Sequence, residues 1–171
     1  MIPLTRILVL SAMAQPILGA CAIKPDNSAE DFETPPSISS LALTEGSSTL
    51  APGDSIRVSW KVTGPNTYHM RFFLSLDAAL DDSDRPLGGR NCGPAFEQLP
   101  GYDCSGVVCG LQMEMDGPQF FCGDPDSAIT KPIAIEPFLG RPVGSATLIG
   151  EACNALFNAC DVATIGLELG E

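Results

Sequence analysis

The chain has 171 residues, with 9 Lys and Arg against 21 Asp and Glu, a formal charge of −12. That balance repels phosphate backbones and leaves no basic footprint, which argues against nucleic acid as a partner. Its length supports one domain with a real core rather than two, and 17 glycines with 15 prolines imply many turns and short strands, short of the level that signals disorder.

Residues 1–20 carry one basic residue, Arg6, an apolar stretch from Ile7 to Ala14, and small residues ahead of Cys21. This is the layout of a cleavable export signal, and the apolar stretch falls well short of the roughly 20 residues that a spanning helix needs. Leu18-Gly19-Ala20-Cys21 resembles a bacterial lipobox. Resemblance to bacterial lipoproteins implies a mature chain beginning at Cys21, with a diacylglyceryl group on its sulfur and an acylated amino group. Each buried methylene contributes about 0.8 kcal/mol and more than one acyl chain makes attachment lasting, so a membrane is an expected partner, reached through the lipid. Ala22 in place of aspartate after the cysteine resembles lipoproteins forwarded to the outer membrane of a Gram-negative host. Cleavage removes Arg6 and no acid, which moves the formal charge from −12 to −13.

Residues 21–36 hold four acids and three prolines but a single aromatic, Phe32, too little apolar surface to offset the entropy of ordering. They read as a flexible acidic tether spanning about 20 Å. The domain follows over residues 37–171.

Two short strands are expected around Ile38 to Leu43 and Ser47 to Leu50, separated by a Glu45-Gly46 turn. Ala51-Pro52-Gly53-Asp54 is a turn signal. Ile56, Val58, Trp60 and Val62 then alternate with polar residues, and after Gly64-Pro65-Asn66 the alternation resumes with Tyr68, Met70, Phe72 and Leu74. Period two puts one face of each strand in a core; the short turn between them suggests a hairpin with Trp60 at its centre.

Val58-Ser59-Trp60-Lys61-Val62-Thr63, a short loop, and then Arg71 through Leu74-Ser75-Leu76-Asp77 to Asp84 resemble the cell-adhesion-related (CARDB-like) immunoglobulin-like domains of bacteria. That pattern pairs a tryptophan-bearing strand with one ending in a Leu-Ser-x-Asp-like segment. The resemblance covers Ile56 to Leu87 and implies an all-β, immunoglobulin-like β-sandwich. Past Gly88 the sequence departs from the pattern, with a cysteine-bearing insertion at about 88–125. Further on, Ile129 to Phe138 is broken by Pro132 and Pro137 and suits an edge strand or extended loop. Glu151 to Asn158 has room for one or two helical turns, and Val162 to Leu169 alternates as a closing strand.

Six cysteines remain beside Cys21: Cys92, Cys104, Cys109, Cys122, Cys153 and Cys160. In an exported chain with one histidine and no Cys-x-x-Cys, they imply disulfides rather than zinc. A hairpin turning around Glu114 to Gly117 sets Met113 against Pro118, Leu111 against Phe120 and Cys109 against Cys122. Directly opposed residues lie within disulfide reach. Cys92 with Cys104 and Cys153 with Cys160 follow by proximity in the chain.

Asp77, Asp81, Asp82 and Asp84 crowd one loop and offer oxygens to calcium, although turn capping accounts for them as well. Gly53-Asp54-Ser55 lies in a turn, and His69 sits on the outer face of its strand, so neither nucleophilic nor general-base chemistry is expected. The expected role is non-enzymatic binding or adhesion at the cell envelope or surface, with a protein or glycan ligand. Binding residues concentrate on loops held by rigid frames; the candidate surface is therefore the insertion with Phe96, Tyr102, Phe120 and Phe121. A calcium-binding structural module is the alternative, and an envelope hydrolase a further one.

Overall fold

A strand with alternate apolar residues must bury one face against something. The computed structural model describes residues 34–97, 103–123, 130–138 and 146–170, and within them ten strands meet this need. They are β1 (Ser37–Glu45), β2 (Thr49–Leu50), β3 (Ser55–Thr63), β4 (Tyr68–Ser75), β5 (Arg85–Cys92), β6 (Gly106–Glu114), β7 (Gly117–Cys122), β8 (Ile133–Ala134), β9 (Ala146–Asn154) and β10 (Cys160–Leu169). One helical turn, α1 (Pro94–Glu97), and a 3-10 turn (Glu136–Phe138) are the only helical pieces among the described residues. Two five-stranded sheets run in the orders β1-β3-β6-β7-β8 and β2-β10-β9-β4-β5. The chain is therefore an all-β two-sheet sandwich, as the sequence implies.

The two alternating strands do not form a hairpin. β3 and β4 lie in opposite sheets, with Ile56, Val58 and Trp60 buried in the same core as Met70, Phe72 and Leu74. The rings of Trp60 and Phe72 meet there, 5.4 Å apart and tilted by 60°. Alternation marks which face of a strand is buried, not whether its partner lies beside it or opposite. The crossing between sheets is tight: Gly64 has φ 117°, and a Cβ on it would stand 2.7 Å from the Pro35 carbonyl oxygen, so only glycine fits.

An immunoglobulin sandwich orders its sheets A-B-E-D and C-F-G. Here β1 and β3 take the places of A and B, and β4, β9 and β10 those of C, F and G. β6 and β7 differ in connection: the strand beside β3 precedes the outer one in the chain, the reverse of E and D. The stretch from Gly88 onward is thus woven into the sandwich rather than set on it, supplying the end of β5, α1, β6 and β7.

The β6–β7 register pairs Cys109 with Cys122, Leu111 with Phe120 and Met113 with Pro118, as the sequence predicts. Gly117, at φ 109°, supplies the left-handed residue that closes the hairpin loop. All three expected disulfides form: Cys92–Cys104, Cys109–Cys122 and Cys153–Cys160, with Cα separations of 5.6, 4.0 and 4.1 Å.

Glu151 to Asn158 is not helical. Glu151–Asn154 ends strand β9, all nine residues of which are buried, and the chain returns through a loop to β10. With both faces covered, β9 shows no alternation to read. β8 is the edge strand expected between Pro132 and Pro137. At the other edge of its sheet, β1 is latched to the opposite sheet by Ile38 N–H, which donates to Asp161 Oδ2 at 2.7 Å.

Candidate functional site

Since Met70, Phe72 and Leu74 of β4 point into the core, His69, Arg71 and Phe73 point outward. On β5 Asn91 pairs with His69 and Pro86 with Phe73, but Arg71 faces bare backbone, because Gly89 pairs with it and Gly88 with Phe72. A Cβ on Gly89 would stand 2.6 Å from the Met70 carbonyl oxygen and 3.2 Å from Arg71 Cγ; the arginine stem lies directly over the β5 backbone. A cleft of about 630 Å3 opens along these two strands and continues around the β5 edge to Val107, Gly123 and Lys131. Lys131 is brought there by its backbone N–H, which donates to the Leu87 carbonyl at 2.9 Å.

Arg71 organises the outer face. Its Nε donates to Glu151 Oε2 at 2.7 Å and its Nη2 reaches the same oxygen at 2.5 Å. Glu151 is buried on β9 opposite Arg71, and a buried carboxylate needs such a partner. The guanidinium also lies 5.6 Å from the Phe73 ring centre and 5.1 Å from that of Phe157, within cation–π range. His69 Nδ1 is hydrogen-bonded to Asn91 Oδ1, and its ring stacks on Phe157 with centroids 4.2 Å apart.

Phe157 comes from the loop joining β9 to β10 and is the one non-glycine residue with positive φ among those described, at 55°. A bulky side chain pays about 1–2 kcal/mol for that conformation, so its surroundings must hold it. Asn154 accounts for the loop: its carbonyl accepts from Phe157 N–H at 3.0 Å, its Oδ1 accepts from Asn158 N–H at 3.2 Å, and its Nδ2 donates to Asn158 Oδ1 at 2.6 Å. The Cys153–Cys160 bridge closes the base of the hairpin. Phe157 remains 49% exposed and its chain neighbour Leu156 57%, and Val162, paired with Glu151 on β9, is 48% exposed, so exposed apolar side chains flank the charged cluster.

The residues expected to form a binding surface separate. Phe120 is fully buried opposite Leu111 and belongs to the core, because the strand alternation that places Cys122 inward places Phe120 inward too. Phe121 points the other way and is half-buried, lying across Gly110, where a Cβ would stand 2.9 Å from its Cζ. Phe96 is half-buried on α1. Tyr102 and Cys21 lie outside the described residues. Phe157 is absent from the candidates that the sequence offers, where its one mark is its place between two cysteines, Cys153 four residues behind and Cys160 three ahead.

Three of the four loop aspartates serve the backbone. Asp77 Oδ1 accepts from Ala79 N–H at 2.8 Å, Asp81 Oδ1 from Ser83 N–H at 2.7 Å, and Asp84 Oδ2 from Asp81 N–H at 2.7 Å. The Ser83 hydroxyl and N–H hold the Asp81 carboxyl below the usual carboxylate range. Asp82 is exposed, and the four bring no three carboxylates together as a coordination shell. One cluster of ligand-type groups does occur among the described residues, Glu151 with Cys153 and Cys160, but both sulfurs are spent in the disulfide. Asp54 Oδ2 accepts from Ala51 N–H at 2.9 Å, so Gly53-Asp54-Ser55 is a turn. Around His69 the described lining of the cleft holds no serine and no carboxylate.

Fold and site together define a disulfide-braced β-sandwich with an aromatic and cationic cleft along β4 and β5 that reaches around the β5 edge to the second sheet. No protein-family model, no curated protein and no solved structure matches the chain.

Proposed function

We propose that this chain is a lipid-anchored protein of the bacterial envelope or cell surface that binds a partner, without catalysis, through the outer face of β4, β5 and β9. The anchor rests on the sequence: the export signal over residues 1–20, the lipobox ending at Cys21, and an acidic tether reaching the domain. Three disulfides suit an oxidising compartment. The resemblance to cell-adhesion-related domains favours a binding role, as does the acidic surface that keeps nucleic acid away. The single observation that carries the choice of face is Phe157, held against its conformational preference over His69 and Arg71 by a disulfide-closed hairpin. Strained residues cluster where structure serves recognition.

Detergent-phase partitioning tests the anchor: Cys21→Ala is expected to remain unprocessed or to leave the membrane fraction, and a variant that partitions like the parent after signal removal overturns it. Binding of the labelled chain from Ala22 onward to envelope fragments tests the face. The parent is expected to bind saturably and Phe157→Ser more weakly; equal binding by both, or binding by neither, refutes the assignment.

A further inference from the structure

We propose that the cleft along β4 and β5 takes a small anionic amphiphile, a single apolar chain ending in a carboxylate or phosphate. This rests on the reading of the same face as a binding surface and names its ligand class. Charge carries the argument. Across the whole chain acids outnumber Lys and Arg by 21 to 9, yet the described lining of the cleft includes Arg71, Arg90 and Lys131 and no acid. Those are three of the six described cations, the others being Arg57, Lys61 and Arg85. Glu151 offsets the charge of Arg71, and Arg90 with Lys131 leaves the lining net positive; a cleft of net positive charge between low-dielectric walls focuses its field on a ligand of the opposite sign.

The remaining lining is apolar. Met70, Phe72 and Val107 are buried on its core side, while Phe73 and Phe157 wall the outer side. A volume of about 630 Å3 falls in the range of small-molecule sites. The cations differ in availability. Arg90 is turned to the main-chain carbonyls of Asp103 and Gly106 and sits over the Trp60 ring at 5.9 Å. Arg71 keeps 42% of its side chain exposed while paired with Glu151, and the guanidinium fork suits carboxylate and phosphate alike. Lys131 is exposed and makes no ion pair among the described residues. The head group is therefore expected between Arg71 and Lys131, with the chain on the same outer face, along the Gly88-Gly89 backbone and against Phe73 and Phe157. A second cleft, of about 470 Å3, is lined by both Asp84 and Arg85 and has no such bias.

The test uses residues 22–171, which contain every described strand and all three disulfides, with calorimetry and Trp60 fluorescence as readouts. The probes are sodium octanoate, octyl phosphate, octyltrimethylammonium and acetate. One saturable site is expected for octanoate or octyl phosphate, and the tighter of the two identifies the head group. Acetate and octyltrimethylammonium are expected to bind at least about tenfold more weakly. Lys131→Gln is expected to weaken binding about threefold and Arg71→Gln about tenfold; Lys131 is exposed, so its variant stays informative if loss of the Glu151 partner unfolds the other. Equal affinity for all three octyl probes, acetate as good as octanoate, no binding of any probe, or indifference to Lys131→Gln in a folded protein would overturn the proposal. Envelope binding that is lost in Phe157→Ser but accompanied by no amphiphile binding sinks the ligand class alone, whereas envelope binding that survives Phe157→Ser sinks the assignment of the face.

Discussion

Truncating Trp60 probes the sandwich at the point where its two sheets touch. The indole is 5% exposed, tilted against Phe72 at 5.4 Å, and donates from Nε1 to the Tyr68 hydroxyl at 3.2 Å. Burying about 200 Å2 of ring at about 25 cal/mol per Å2 contributes about 5 kcal/mol, an upper figure because the unfolded chain is itself partly collapsed. The hydrogen bond adds about 1 kcal/mol, and the methyl group left by alanine takes some back, so Trp60→Ala is expected to cost about 4 kcal/mol, within the range for large aromatic truncations. Trp60→Phe keeps a ring against Phe72 and is expected to cost about half as much. The chain has one tryptophan, so its loss removes the fluorescence signal. Urea melts should therefore be followed by circular dichroism, with an unchanged slope showing that only stability has moved. A loss under about 1 kcal/mol for Trp60→Ala would refute the placement of β3 and β4 face to face across the core.

Phe120→Ala is expected to cost about 3–5 kcal/mol and Phe121→Ala about 1 kcal/mol, because the second ring lies on the outside of Gly110; equal losses in denaturant melts would contradict the β6–β7 register. Phe157→Gly should change stability by less than about 1 kcal/mol, since relief of the backbone offsets the lost stacking, while Phe157→Ala, which keeps the strain, should melt lower than the glycine variant. The Ser105 hydroxyl, with Ser105 N–H and the Arg57 guanidinium, holds the Asp103 carboxyl below its ordinary value. A carboxyl lowered on folding contributes stability above its unfolded value of about 4 that is lost as pH falls through the folded one, so Asp103→Asn should show a smaller drop in urea midpoint between neutral and acid pH than the parent. Burial raises the Tyr68 hydroxyl. Its contribution is present below about pH 10 and lost as pH rises through the folded value, so Tyr68→Phe should flatten the alkaline limb of the same titration.

The β6–β7 hairpin was legible because its turn, its alternation and its two cysteines all specify one register. β3 and β10 were legible for the same local reason. The sheet to which each strand belongs was not, since Trp60 alternates identically whether Phe72 lies beside it or opposite. β9 was hidden by burial on both faces, and β5, reading Arg-Pro-Leu-Gly-Gly-Arg-Asn-Cys with a register shift opposite Phe72 and Phe73, offers no period at all. The cleft was the least readable feature. Arg71, Gly89, Lys131 and Phe157 come from four separate parts of the chain, and what joins them is strand pairing over long separations. Even Phe121 carried a mixed signal: sequence marks it as an aromatic on a braced segment, but only the neighbouring Gly110 shows that the ring lies down instead of reaching out.

The latch between β1 and Asp161 acquires a mechanical meaning if the domain hangs from its N-terminal tether. Tension on that side enters at Ser37, the first residue of an edge strand, which pairs with Thr63. Once the Ile38 bond to Asp161 gives way, β1 can peel from β3 one pair at a time, a geometry that yields at low force. The three covalent loops all lie between Cys92 and Cys160, beyond the first four strands in the path of the pull. A sudden load would thus be absorbed by lengthening the front of the chain, while the hairpin carrying Phe157 stays closed by its bridge.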